Sequence, residues 1–218
     1  MQGSDLGVAP DFLGNVFWHV LPLMHGRNQA QRISSLFEKI QQYYKDEGVQ
    51  SQLPTLTKEM IWKQHAAGPK LRAKASESKA LVKFARGLCN ECLDDSPLNL
   101  AVKTCANLLA ECYDCLREDS FEQPKLGNAA RKFNLQYVAL SRITADSLFR
   151  FKPKHHVWQH LCEETKSCPT LFWTYRDEDF GGTLASLTRQ RGGANTPLGV
   201  STTVLQKFMQ KHSLVQLR

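Results

Sequence analysis

No stretch of the 218 residues alternates apolar and polar side chains for long enough to read convincingly as a β-strand. That lack turns the fold expectation to mainly α, a multi-helix bundle with at most one or two short strands, near Leu171 to Tyr175. Long apolar runs are missing as well. The one apolar segment near the start, Phe12 to Met24, carries His19 and Pro22 and has no basic flank. A bilayer span takes about 20 apolar residues, so neither a membrane helix nor a secretory signal is expected. Seven cysteines, an odd number, then read as reduced thiols in an intracellular protein. No repeat and no low-complexity tract is present. Acid is scarce relative to base, with 21 Asp and Glu against 28 Lys and Arg, a net charge of +7. A basic surplus of this size favours a polyanionic partner, either nucleic acid or an anionic membrane surface.

What is present is helical periodicity. Phe12, Val16, Val20 and Leu23 share one face, Asp11 is placed to cap that helix, and Gly26 ends it. Ile33, Leu36, Phe37, Ile40, Tyr43 and Tyr44 form the stripe of a second helix, stopped by Gly48. Thr57 caps a short helix through Met60 and Ile61. Lys70, Arg72, Lys74 and Lys79 make the densest basic run of the first half, read as a solvated helix face in preference to a phosphate-binding strip. A helical pattern over 76–93 turns at Asp94 to Pro97, where Pro97 suits the first helical position. Two apolar seams follow, Leu98 to Leu116 and Leu126 to Thr144. A polar, Gly-rich segment over 189–195 precedes a last helix carrying Val204, Leu205, Phe208 and Met209. The chain is expected to be a single helical domain over 1–218, loosely divided into 1–69, 70–149 and 150–218.

Cys89 and Cys92, with Cys112 and Cys115, have the spacing of a four-thiolate zinc site. The helical context argues against it. A hairpin turning at 94–97 leaves Cys92 beside the turn and Cys112 roughly 20 Å along the next helix. Cys105 and Cys112 also fall on the apolar seam, where a thiol serves as a small hydrophobe. Packing is the reading, and zinc is disfavoured.

The densest chemistry is in 151–182. Lys152, Pro153 and Lys154 fit a helix start, with His155, His156 and His160 in its first turns. His156 and His160, four apart, lie on one face and could share a metal. Val157 stands where a zinc peptidase motif needs glutamate, which removes that reading. Neutral imidazoles could instead join Lys152 and Lys154 against phosphate oxygens near the helix N-terminus. Asp177, Glu178 and Asp179 fan out by about 100° each on a helix, so one or two could reach a metal. They read equally well as the acidic first turn of a helix.

The order of these features resembles the C-terminal portion of eukaryotic transposases with a DDE, RNase H-like core, and uncharacterised transposon-derived protist proteins. Asp5-Leu6-Gly7-Val8, Lys152 to His160 and Tyr175 to Gly182 carry the resemblance. It implies that Asp5 and Glu178 are the second and third catalytic carboxylates of a divalent-ion site; from the residues themselves, Glu178, Asp177 and His160 are the candidate ligands for Mg2+. It implies further that Lys152, Lys154, His155 and His156 lie near a DNA backbone. The family's first catalytic aspartate precedes the region matched by this sequence. The expected function is therefore DNA binding without strand transfer by the chain alone, in an intracellular, nuclear setting. A helical protein-interaction module and a metal-dependent hydrolase are the alternatives.

Overall fold

Most helix starts fall where short polar side chains or prolines place them. In the computed structural model, which describes residues 7–116, 121–144 and 147–169 together with Gln206, seven α-helices form and no strand is present among the described residues. They are α1 (Ala9–Val20), α2 (Gln29–Asp46), α3 (Lys58–Ile61), α4 (Ala75–Cys92), α5 (Pro97–Asp114), α6 (Gln123–Ile143) and α7 (Pro153–Glu164). The protein is mainly α, as the sequence predicts. The Asn28 side chain accepts from the Gln31 N–H at 2.9 Å to start α2, and Thr57 accepts from Met60 at 3.3 Å to start α3. Pro97 and Pro153 open α5 and α7, where a missing N–H costs nothing. The chain divides into two compact units, Met1–Trp173 and Thr174–Arg218. The helices belong to the first unit. Asp5, the strands expected near Leu171 to Tyr175, Asp177, Glu178 and the expected last helix all fall outside the described residues.

The first unit is built around α1. Every residue from Ala9 to Phe17 is buried, polar ones included, so this helix is enclosed rather than amphipathic at the surface. One of its residues differs from the sequence expectation. Asp11 does not cap the helix, because Val8 is the N-cap residue and Asp11 sits inside the first turn, 1% exposed. Gly14 gives up a side chain so that another segment can approach. A Cβ there would lie 2.5 Å from the Leu71 nitrogen and the Lys70 Cα. The Leu71 N–H donates to the Pro10 carbonyl at 2.8 Å, and on either side Lys70 and Arg72 donate to Ile61 and Met60. The stretch from Lys70 to Lys74 is thus non-helical chain docked on α1 and α3, and of the basic run only Lys79 lies on a helix, α4.

α4 packs on α1, α5 on α4, α6 on α5 and α7 on α6. Where α1 meets α6 and α7 an aromatic cluster forms. Phe12 touches Phe133, Tyr137 and Phe149 with ring centroids 5.9–6.3 Å apart, and Phe133 meets Trp158 edge-on at 5.5 Å. Such edge and tilted pairs add to the stabilisation from burial alone. Phe149 is fully buried with a left-handed backbone (φ 47°), a conformation rare for an aromatic residue. Its N–H donates to the Asn15 side-chain oxygen at 2.7 Å, while the Asn15 amide donates to the Asp11 and Pro69 carbonyls. One buried amide therefore ties together α1, the docked chain at 69 and the turn before α7.

Candidate functional site

The N-terminus of α7 is fixed by a charge beneath it. Lys152 and Lys154 flank Pro153 and both turn towards α1. Each ammonium nitrogen lies 2.7 Å from the same oxygen, Oδ2 of Asp11. A carboxylate at this depth must be paired to stay ionised. The lysine side chains remain 37% and 29% exposed, so they span from the buried carboxylate to water. At 2.7 Å both contacts lie at the distance of a charge-assisted hydrogen bond between an ammonium and a carboxylate. The Lys154 ammonium is held below its usual pKa chiefly by burial, with Asp11 opposing that and Lys70 and Lys152 reinforcing it.

His155 is not at the surface. It is fully buried, its ring stacked on Tyr137 at 4.7 Å and on Phe151 at 5.1 Å. Its Nδ1 reaches back to the Lys152 backbone at 3.2 Å, as the third residue of a helix does in a capping box. Burial pushes its pKa down to about 4, so the imidazole is neutral near pH 7. The expected contact of His155 with a DNA backbone is therefore unavailable to its ring. His156 and His160 take the opposite side of α7 and are exposed, with Nε2 atoms 3.1 Å apart.

Sequence distance conceals the main feature of the surface here. Arg150 donates to the Ala67 carbonyl at 3.4 Å, Asn15 bridges Pro69 to Phe149, and the Lys70 charge acts on Lys154. The basic run at Lys70 and the basic segment 150–154 are thereby brought to one place. Lys152 and Lys154 pair with one carboxylate, Asp11, the Lys70 charge acts on Lys154, and Arg150 reaches the neighbouring chain at Ala67; Lys70 and Arg150 are exposed with no acidic partner among the described residues. Neither Asp11 nor Arg150 carried a site signal in the sequence. An aspartate in a first helical turn reads as a dipole or capping residue, and a single arginine has no pattern.

Of the residues expected around Mg2+, the described part contains His160 alone, and imidazole is a ligand that Mg2+ does not select. No group of three or more His, Cys, Asp or Glu side chains is arranged to hold a metal among the described residues. Of the four cysteines with the zinc-like spacing, Cys89 and Cys92 lie on α4, Cys112 on α5 and Cys115 just after it, with Cys89 and Cys112 buried and Cys92 and Cys115 half-buried. Burial raises the Cys89 thiol to about 12 and lifts Cys112 well above its ordinary value. No helix among the described residues is long and apolar enough to cross a membrane. No protein family, curated protein or solved structure matches the chain.

Proposed function

We propose that the protein binds DNA through the basic patch at the start of α7 and has no strand-transfer activity as an isolated chain. The observation that supports this reading is the approach of Lys70 and Arg150, from the chain at 67–70 and the turn before α7, to Lys152 and Lys154, which share a single buried carboxylate. Asp11 offsets one of these charges, so the patch stays strongly positive, and the +7 net charge adds a favourable long-range field. Phosphate contacts of this kind give affinity without sequence preference. The transposon-derived origin stays a proposal resting on the sequence motifs around Asp5, Lys152 and Glu178.

The lysines differ in what they can test. Removing Lys152 and Lys154 together leaves Asp11 as a buried charge without a partner, a change that costs about 3–5 kcal/mol of stability and confounds a binding result. Lys70 and Arg150 hold no ion pair among the described residues, so Lys70→Ala and Arg150→Ala are the informative variants. DNA affinity is expected to fall steeply as salt rises, and each variant should reduce the slope of log K against log salt by about 1. Fluorescence anisotropy with unrelated duplexes at several salt concentrations checks this. Binding that ignores salt or both substitutions rejects the proposal. A second reading, a helical interaction module, is favoured by Val157 and Leu161, 56% and 43% exposed on α7. It predicts no retention of DNA near physiological salt.

A further inference from the structure

α7 carries a pair of imidazoles that the Asp11 clamp does not use. His156 and His160 are one helical turn apart and both exposed. Their rings stand nearly perpendicular, at 82°, with centroids 4.4 Å apart and Nε2 atoms at 3.1 Å. Two bonds of about 2.0–2.1 Å to one metal ion, meeting at about 90–110°, set their nitrogens about 2.9–3.4 Å apart. The observed separation falls within that window, so the helix holds the two nitrogens at a metal's bite distance.

We propose that His156 and His160 form a two-imidazole chelate for a late first-row divalent ion, bound most tightly as copper(II) and less tightly as nickel(II) or zinc. The site is independent of the DNA-binding reading. On the far side of the His160 ring, Nδ1 lies 3.7 Å from the Glu164 carboxylate, one turn further along α7. The contact is electrostatic, too long for a hydrogen bond, and a carboxylate on that side of the ring favours the tautomer with its proton on Nδ1, which leaves the Nε2 lone pair for a metal. Imidazole donors suit copper, nickel and zinc and discriminate against Mg2+, whose ligands are oxygens. With no third protein ligand among the described residues, water completes the coordination sphere. The open positions leave room for an oxygen or nitrogen donor from a partner. Without metal, one Nε2–H donates to the other Nε2, which accounts for the short separation in that state.

Tag-free full-length protein is titrated with nickel(II) by calorimetry, and its copper(II) form is examined by electron paramagnetic resonance. One ion per chain is expected, with a copper signal showing coupling to two imidazole nitrogens. His156→Ala and His160→Ala should each lower nickel affinity by about tenfold or more, and Glu164→Gln by a smaller factor. His65→Ala, which removes an exposed histidine on a different segment, should leave affinity unchanged. Far-UV circular dichroism of each variant separates loss of the chelate from loss of the helix. Equal nickel affinity in wild type and both alanine variants overturns the proposal, as does a copper spectrum showing sulfur ligation or a single nitrogen.

Discussion

An imidazole wedged between two aromatic rings has little choice of charge. His155 stacks on Tyr137 and Phe151, and its Nε2 finds no partner among the described residues. The nearby charges oppose one another, Asp11 favouring the imidazolium and Lys152 and Lys154 disfavouring it, so burial decides. The folded-state pKa of about 4 lies below the ordinary value of 6.5. Between those values the unfolded chain binds more protons, so stability rises with pH across the interval. The contribution is complete above 6.5 and is lost progressively as pH falls towards 4. A gap of this size corresponds to about 3 kcal/mol. Urea unfolding of wild type and His155→Phe should therefore show a difference that shrinks, or reverses in favour of the variant, between about pH 7 and about pH 4.5. A difference that stays constant with pH would mean that the imidazole already titrates freely in the folded protein.

Among the helices, local signals and tertiary demands were not equally legible. The boundaries at Asn28, Thr57, Pro97 and Pro153 rest on caps and proline geometry, which act within a few residues. The apolar seams of α2, α5 and α6 follow the helical period for the same reason. What could not be read is whatever depends on a distant segment. The burial of Asp11 requires two lysines at the start of α7, and the non-helical course of Lys70 to Lys74 requires a docking surface on α1. Nor does the sequence show that Lys70 and Arg150 share a face, because the Asn15 amide that joins their neighbourhoods is far from both. Glycine makes the contrast measurable. Gly14 on α1 and Gly87 on α4 both cost helix propensity relative to alanine, about 1 kcal/mol each. At Gly87 an added Cβ meets nothing, so Gly87→Ala should stabilise by about that amount. At Gly14 the obstacle is backbone at 2.5–2.6 Å, which cannot turn aside as a flexible side chain would. Gly14→Ala should instead destabilise by about 1–3 kcal/mol through displacement of the docked chain. Thermal unfolding of the two variants checks both signs, and stabilisation by Gly14→Ala would mean that the 70–71 contact is dispensable.

Across the whole first unit, a single enclosed helix has consequences for how the fold comes apart. α1 touches α4 directly and meets α6 and α7 through the aromatic cluster, and α5 lies against both α4 and α6. No helix of this chain of contacts can leave without exposing part of the same core. The thiols report on that coupling. Cys89 on α4, Cys105 and Cys112 on α5, Cys162 on α7 and Cys168 beyond it are all buried, whereas Cys92 and Cys115 at helix ends are half-buried. Burial raises the first four above the ordinary thiol range and suppresses the reactive thiolate further. With a thiol reagent in excess, followed by mass spectrometry, Cys92 and Cys115 should be labelled first. The four buried helix thiols should follow together at one slower rate, because global opening exposes them all. Adding denaturant should accelerate those four equally. If the α7 thiol, Cys162, instead reacts well ahead of Cys89 and Cys105, α7 opens on its own. The Asp11 clamp would then be too weak to join that helix to the rest of the core.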